Sequence, residues 1–185
     1  MKARLAELYS EQGAYKIGLV VEYTDQYNFT VFAGGTTWKY ESEIDADGNK
    51  QWYLNGKRHR TDGPAVVYAN GTKYWYLNNK LHRTDGPAVV GGDGDKFWYL
   101  NGKPHRADGP AVVHANGDKE WYLNGKPHRT DGPAAMYSNG AKCWFLNGKR
   151  HRTDGPAAIY SDGSKGWHLN DKELSEAEWE ALTSS

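Results

Sequence analysis

Cysteine and long apolar runs are almost missing from this chain. Cys143 is the one cysteine, so neither an intramolecular disulfide nor a zinc site built from cysteines can form. No apolar run reaches transmembrane length, and the first residues, MKARLAELYSEQG, lack the apolar core of a signal peptide. We therefore expect a cytoplasmic protein that does not act in a membrane.

An excess of charge of either sign is also missing. Lys and Arg total 23, Asp and Glu total 23, and the formal net charge at pH 7 is zero. Such a chain has no global attraction for nucleic acids or anionic membranes, although a local basic patch is compatible with it. Aromatic residues nevertheless make up 14% of the sequence. This combination is typical of thin β-structure in which large rings supply most of the buried area.

What the sequence does contain is a repeat of 23 residues. The segment 52–74 reads WYLNGKRHRTDGPAVVYANGTKY, and the same phrase returns four more times without insertion or deletion. The period is marked by six tryptophans: Trp52, Trp75, Trp98, Trp121, Trp144 and Trp167. Self-similarity at a fixed period indicates a stacked array in which every unit has an equivalent place.

The unit that begins at Trp52 carries two Asn-Gly pairs, one in YLNGK and one between the β-prone runs AVVY and TKYWYL. Asn-Gly favours a type I′ hairpin turn because both central residues need positive φ, and we predict that turn type at both places. The chain then runs as an antiparallel meander. Alternation puts Trp75 and Leu77 on one face and Tyr74 and Tyr76 on the other, so stacked units would lay Trp on Trp and Leu on Leu.

The combination of a strand, Asn-Gly-Lys, His and recurring aromatics resembles the MORN repeat and its phage and bacterial variants of the type WYLNGKxHRxDGPA. Five full units and a partial sixth match, although HRxDGPA differs from the usual MORN spacing His-Gly-x-Gly. The resemblance implies a β-solenoid-like array. Proteins of this type are chiefly encoded by phages and bacteria. If this chain is phage-encoded, the resemblance implies an anti-defence inhibitor of a host enzyme or immunity protein that acts in the host cytoplasm.

The predicted fold class is all-β: an elongated antiparallel β-meander array of 23-residue MORN-like repeats with short helical caps. Residues 44–171 form the array, as a half-unit, five full units and a partial sixth. Residues 172–185 form a C-terminal capping helix, since Ser175 and Glu178 make a capping box. Leu174, Trp179 and Leu182 would cover the last strand edge.

Residues 1–43 form the N-terminal cap, with a short helix over 1–14 followed by three strands in YKIGLVVEY, FTVFAGG and TTWKYESEI. The strands resemble small SH3-like β-barrels of phage and bacterial proteins. The matching residues are Gly18, Val20, Val21, Glu22, Phe29, Val31, Gly34, Gly35, Thr37, Trp38 and 42–44. We expect this cap to pack against the array without a linker.

The phrase His-Arg-x-Asp is the main candidate for chemistry. A metal ladder is disfavoured because histidines of stacked units lie about 10 Å apart, two strand spacings, whereas a metal ion needs converging ligands. Five equal copies also disfavour catalysis, so we predict no catalytic, metal or cofactor site. In the structural interpretation Asp caps the Gly-Pro turn, Arg pairs with a neighbouring Asp and His packs beside the aromatic rings. In the binding interpretation the contact residues are Arg60, His82, Arg83, His105, Arg106, His128, Arg129 and Arg152.

Two further features have a structural and a functional interpretation. The tyrosine row beginning with Tyr53 and Tyr76 is compatible with base stacking, but packing between units is favoured because the net charge is zero. Residues 91–94, Gly-Gly-Asp-Gly, lack the Lys-Ser/Thr of a phosphate loop and are interpreted as a notch in a strand.

The predicted function is that of a non-enzymatic repeat protein that binds another macromolecule through a rigid β face. A protein partner is favoured, and it would be a bacterial host protein if the chain is phage-encoded. Two alternatives remain open: a nucleotide or nucleic-acid binder that uses the Arg and His rows, and a structural or assembly component. The sequence does not determine the oligomeric state.

Overall fold

The computed structural model describes residues 20–23, 28–33 and 36–184. Within this part, β-strands dominate and one α-helix, α1, spans Glu176–Thr183. The strands towards the two ends of the described chain are β1 Val20–Tyr23, β2 Phe29–Ala33, β3 Thr36–Ile44, β4 Lys50–Leu54, β5 Lys57–Arg58, β6 Val66–Val67, β7 Lys73–Tyr74, β22 Ala158–Ile159, β23 Lys165–Leu169 and β24 Lys172–Leu174.

The strands between β7 and β22 repeat one pattern. They are β8 Tyr76–Leu77, β9 Lys80–Leu81, β10 Val89–Val90, β11 Lys96–Phe97, β12 Tyr99–Leu100, β13 Lys103–Pro104, β14 Val112–Val113, β15 Lys119–Glu120, β16 Tyr122–Leu123, β17 Lys126–Pro127, β18 Ala135–Met136, β19 Lys142–Cys143, β20 Phe145–Leu146 and β21 Lys149–Arg150. The strands come in two kinds, because each unit contributes one hairpin to a common sheet and a second hairpin beside it.

The main sheet has 16 strands in the order β1-β2-β3-β4-β6-β7-β10-β11-β14-β15-β18-β19-β22-β23-β24, with β5 paired to β4. All of its neighbouring strands are antiparallel. The second hairpins are β8-β9, β12-β13, β16-β17 and β20-β21. The predicted all-β meander with a short helical cap is therefore confirmed.

The two Asn-Gly turns of a unit differ. In the second hairpin both central residues have positive φ, 49° at Asn55 and 71° at Gly56, as a type I′ turn requires. In the main-sheet hairpin only Gly71 has positive φ, and Tyr68 N donates to Thr72 O at 2.9 Å. This is a three-residue loop that ends in a left-handed glycine. The predicted type I′ turn is wrong there, because the loop has one residue more than that turn.

Each tryptophan between β7 and β20 lies where the chain leaves the main sheet. Trp75 falls between β7 and β8, its N donates to Ala88 O at 2.8 Å, and its O accepts from His82 N at 3.0 Å. The chain bends at this point, so the second hairpin does not continue the ladder of the main sheet. Only the first and last units, in β4 and β23, run straight through their tryptophan.

The core consists of small side chains from the phrase Gly-Pro-Ala-Val-Val and its variants. Ala88 is 0% exposed and Val66 is 2% exposed, and the equivalent residues of the other units are also buried. The leucines of the second hairpins are only half-buried, for example Leu77 and Leu100. The core is therefore thin and lies along the main sheet, so no single unit encloses a core of its own.

Neighbouring units are joined by the same contacts at each junction. Arg83 N donates to Tyr99 O at 3.1 Å, and Gly102 N donates to Leu81 O at 2.8 Å. A side-chain oxygen of one main-sheet hairpin also accepts from a backbone N–H of the next hairpin. These pairs, which we term the hairpin clasps, are Asn49 with Ala69, Thr72 with Gly92, Asp95 with Ala115 and Asp118 with Ser138, at 2.7–3.1 Å.

The N-terminal strands continue the main sheet. β3 pairs with β4 from Tyr40–Leu54 to Ile44–Lys50, so the cap and the array share one sheet without a linker. The three predicted strands are confirmed as β1, β2 and β3 in their described parts. The predicted helix over 1–14 lies outside the described residues, as do 24–27 and 34–35. Closure of these strands into an SH3-like barrel stays a prediction.

The C-terminal helix begins with the predicted capping box. Ser175 accepts from Glu178 N, and the Glu178 side chain accepts from Ser175 N at 2.8 Å. Trp179 packs on Trp167 with ring centroids 4.6 Å apart, and its Nε1 donates to Arg152 O at 2.8 Å. The predicted role of Leu182 is wrong, because this residue is 58% exposed. The helix is also shorter than residues 172–185, since Lys172–Leu174 forms β24.

Candidate functional site

Each arginine of the repeated phrase lies over the tryptophan of its own unit. The distance from Arg Cζ to the Trp ring centroid is 4.1–4.2 Å in all five units. This is the geometry of a cation–π contact. The predicted stack of Trp on Trp is therefore wrong for the array, and in the described part of the chain a tryptophan contacts another aromatic ring only at Trp167 and Trp179.

Two further contacts hold each guanidinium. Arg106 Nε donates to Asp108 Oδ1 at 2.9 Å, and Arg106 Nη1 donates to Pro110 O at 3.4 Å, with equivalents in the other four units. Glycine also lies close to each guanidinium, because a Cβ on Gly109 would be 3.1 Å from Arg106 Cζ. A larger side chain at this position would crowd the guanidinium, which explains the glycine of HRxDGPA.

The aspartate of the phrase is the exposed member of the pair. The Asp108 side chain is 82% exposed and that of Arg106 is 26% exposed, and the other units except Asp62 are close to these values. Hydrogen bonding to the arginine is the main factor that lowers the pKa of Asp85, Asp108, Asp131 and Asp154. The arginine thus pairs within its own unit and does not bridge to a neighbouring aspartate.

The histidines link one unit to the next. His82 Nδ1 accepts from Asn101 N at 3.2 Å, and His105, His128 and His151 make the same contact with the asparagine of the following turn, at 3.1–3.2 Å. The Nδ1 atoms of His82 and His105 also lie 3.0 Å from the side-chain Oδ1 of that asparagine. His59 is only 8% exposed, and burial lowers its pKa.

The structure places the eight candidate residues, five arginines and three histidines, in two rows along the array, and it does not bring them together at one point. In the part of the chain that the structure describes, no group of three His, Cys, Asp or Glu side chains is arranged to hold a metal ion. Every candidate arginine is held inside its unit, and every candidate histidine is half-buried at a junction. That arrangement supports the structural interpretation of the phrase, and binding by these residues stays a prediction.

The register of the main sheet aligns a different set of cations, which the sequence analysis missed. Lys73 pairs directly with Val67 on one side and Val90 on the other, and residues directly opposite share a face of the sheet. The alternation continues over eleven strands. In order, this lysine row is Lys50, Val67, Lys73, Val90, Lys96, Val113, Lys119, Met136, Lys142, Ile159 and Lys165.

All six lysines of this row are exposed, and the five apolar residues between them are half-buried. Among the described residues, no carboxylate lies within ion-pair distance of these ammonium groups, and the repeat aspartates that form ion pairs do so with arginine or with His114. With two strand spacings between lysines, the charges recur about every 9.6 Å. The sequence signal was a lysine two residues before every tryptophan of the repeat.

A second set of lysines provides an internal comparison. These turn lysines directly follow the type I′ turns: Lys57, Lys80, Lys103, Lys126, Lys149 and Lys172. They are exposed too, but they lie on β5, on the second hairpins and on β24, and they are not members of the lysine row. Their stems lie beside the next turn, since a Cβ on Gly125 would be 3.5 Å from Lys103 Cβ. The two sets have equal charge in different surroundings.

Several tyrosine rings are occupied by contacts within the array. Tyr74 stacks on Tyr76 at 6.2 Å, and the Arg58 guanidinium lies 5.8 Å from the Tyr76 ring. Tyr122 Oη donates to Glu120 Oε2 at 2.7 Å, and burial is the main factor that raises the pKa of Tyr122. These contacts are those of packing residues, as the sequence favoured.

The glycine-rich segment of the second full unit is a hairpin loop. Gly91 N donates to Asp95 O at 2.8 Å and Gly94 N donates to Gly91 O at 3.1 Å, as in the equivalent loops. The predicted notch in a strand is wrong, because the segment lies between β10 and β11. A Cβ on Gly92 would overlap the carbonyl oxygen of Asn70, so the close approach of the preceding loop explains this glycine.

No family model matches this chain, and no curated protein matches it either. No helix in the described part of the chain is long and apolar enough to cross a membrane.

Proposed function

We propose that this protein is a non-enzymatic binding protein that presents a rigid β face to a protein partner. The observation that carries the proposal is the lysine row, in which six exposed lysines, without carboxylate partners in the described part of the chain, alternate with half-buried apolar side chains. A surface of this kind offers charge for orientation and apolar area for affinity.

Rigidity follows from the way in which the row is built. The lysines lie on strands that are hydrogen-bonded on both sides, and the hairpin clasps connect neighbouring loops at four junctions. Little backbone freedom is lost when such a surface binds, which favours affinity. The arginine and histidine rows help to hold this framework, so in this proposal they support the binding face and do not form it.

A protein partner fits the row better than a nucleic acid. Each strand of a duplex carries a phosphate about every 3.4 Å of its axis, so lysines about 9.6 Å apart would meet only a minority of them. The valines, Met136 and Ile159 between the lysines gain nothing from phosphates, but they gain burial against apolar side chains. The zero net charge adds no general attraction for nucleic acid.

The resemblance to phage and bacterial MORN-like arrays extends this proposal to a biological setting. On that resemblance, the partner is a host enzyme or immunity protein that is inhibited in the host cytoplasm. This part of the proposal has the sequence likeness as its sole support.

The test compares two triple variants of the full chain. In the first, Lys73, Lys96 and Lys119 of the lysine row are changed to Gln; in the second, the turn lysines Lys80, Lys103 and Lys126 are changed to Gln. Both remove three charges from neighbouring units. We expect proteins captured from bacterial lysate by the parent chain to be lost from the first variant and kept by the second, as measured by quantitative mass spectrometry. Equal capture of these proteins by both variants would show that the lysine row is not part of the binding face.

A further inference from the structure

We propose that the occupant of the lysine row is an acidic amphipathic α-helix that lies along the row and crosses the strands. Its carboxylates recur every seven residues and face the lysines, and its apolar residues lie between them and face the apolar side chains of the row. This inference rests on the proposed function and names the kind of partner that the row accepts.

The spacing of the row is close to that of a helix. The row advances about 4.8 Å per strand, whereas 3.5 residues of α-helix advance about 5.3 Å. Lysines therefore recur about every 9.6 Å and helix positions seven apart about every 10.5 Å. The mismatch is about 0.9 Å for each unit, or about 3 Å over three intervals. Lysine has a flexible four-carbon stem that can absorb this difference, so one straight helix registers with about four lysines.

An extended strand laid across the row does not register in this way. Residues on one face of a strand are about 6.7 Å apart, which matches neither the 4.8 Å step of the row nor the 9.6 Å between lysines. A helix, in contrast, offers acidic and apolar positions in alternation at intervals of three or four residues on one face. The same alternation of charged and apolar residues characterises the row.

Charge complementarity selects acidic residues in the partner. The carboxylates of the central units are already engaged: Asp108 by Arg106, Asp95 by Ala115 N and His114, and Asp118 by Ser138 N. The ammonium groups of the row have no such partner among the described residues. An acidic helix therefore forms new ion pairs here without displacing existing ones, and the flanking apolar contacts shield those pairs from solvent.

The experiment uses three synthetic peptides of about 28 residues, the length of four heptads. The first has Glu at one position of each heptad and Leu at the intervening apolar position, on a background of Ala and Gln. The second has the same composition in scrambled order. The third has Lys in place of each Glu. Affinities for the full-length protein are measured by fluorescence anisotropy at two salt concentrations, together with that of a duplex DNA probe.

We expect the first peptide to bind at least tenfold more tightly than the other two, and more weakly at high salt. The Lys73, Lys96 and Lys119 to Gln variant should lose at least tenfold in this affinity, and the Lys80, Lys103 and Lys126 to Gln variant should not. Exchange of Val90 and Val113 for Thr tests the apolar contacts and should also weaken the complex. Thermal melting shows whether each variant is folded like the parent.

The outcomes separate this inference from the proposed function. If the scrambled peptide binds as well as the ordered one and both need the lysine row, the row is a binding face but the helical partner is wrong. If DNA binds more tightly than either peptide through the same lysines, the occupant is a nucleic acid and both proposals fail. If neither the peptides nor the proteins captured from lysate depend on the row, the proposed function itself is wrong.

Discussion

Arginine and tryptophan form the most regular side-chain contact in this molecule. In five units a guanidinium lies over a tryptophan ring and close to a glycine, donates to a proline carbonyl and pairs with an exposed aspartate. A cation with four such contacts is a packing element. The contact joins the start of a unit, at the tryptophan, to the Gly-Pro bend that leads into the next strand.

This arrangement predicts that Arg106→Ala destabilises the protein more than Asp108→Ala. Loss of the arginine removes the stack on Trp98 and the bond to Pro110 O, for a cost of roughly 2 kcal/mol. Loss of the aspartate removes one ion pair whose carboxylate is 82% exposed, and its effect is smaller. Urea denaturation measures both.

Arg106→Lys is the matched control, because it keeps the charge and loses the planar stack. It should fall between the parent and Arg106→Ala. If Asp108→Ala and Arg106→Ala lower the free energy of unfolding equally, the ion pair and not the ring contact holds the bend.

At the scale of the structural element, the hairpin clasps decide how firmly one unit holds the next. Four junctions have a side-chain oxygen that accepts a backbone N–H, but at the fifth the equivalent residue is Ala141, which has no such atom. The loop that begins at Ser161 is thus the least secured of the series. Differences between junctions therefore arise at one variable position in the loop.

We predict that Asp118→Ala lowers the amide-exchange protection of Ser138, because its N–H loses its acceptor. The converse change, Ala141→Asp, supplies an acceptor at the fifth junction and should raise both the protection of Ser161 and the melting temperature. Hydrogen exchange followed by mass spectrometry measures both. If Ala141→Asp raises neither the protection of Ser161 nor the melting temperature, the clasps are a result of the loop geometry and do not stabilise the loops.

The same carboxylates predict acid sensitivity. Hydrogen bonds from Ala115 N and Ser138 N are the largest factors that lower the pKa of Asp95 and Asp118 from the ordinary 3.8. A group with a lowered folded pKa stabilises the fold above its unfolded pKa, and that contribution is lost as the pH falls through the folded value.

We therefore expect constant stability from these groups above about pH 5 and progressive loss below about pH 4, measured by denaturation at several pH values. Asp118→Asn keeps an acceptor but does not titrate, so its stability should change less with pH in this window. An unchanged acid dependence in that variant would exclude Asp118 as a contributor.

The elements were more predictable from sequence than their contacts. The period, the β class and the capping box at Ser175 follow from local patterns and are confirmed. The loop at Gly71 was assigned the wrong turn type, because Asn-Gly fits two loop lengths that differ by one residue. Alternation placed Trp75 on the same face as Leu77 and predicted contact between tryptophans of successive units. The chain bends at Trp75, and its ring contacts Arg83 of the same unit. The lysine row required the cross-strand register, which one unit alone does not specify.

At the scale of the whole molecule, the sheet order predicts an elongated particle. From β4 to β23 the path crosses ten strand spacings, or about 48 Å, and the N-terminal strands extend the same sheet. A compact chain of this length has a radius of gyration near 16 Å, and we expect a clearly larger value by small-angle scattering.

Deletion of residues 98–120 removes one whole unit and should shorten the longest dimension by about 10 Å while the remaining array stays folded. A radius of gyration near 16 Å for the parent would contradict the elongated array. If the deletion unfolds the remaining chain, the units are not the independent structural repeats that the junctions indicate.

The sameness of those junctions also affects how separate chains recognise one another. Trp98 N meets Ala111 O in one unit just as Trp121 N meets Ala134 O in the next, so a segment of one molecule fits the place of its counterpart in another. Exchange of segments between molecules, or a slip by a whole unit, therefore costs little within the array. The two ends are different, because the sheet begins with β1 to β3 and finishes under α1. Because the two ends differ, a monomer with every unit in its own place can be distinguished from a domain-swapped dimer and from a chain shifted by one unit.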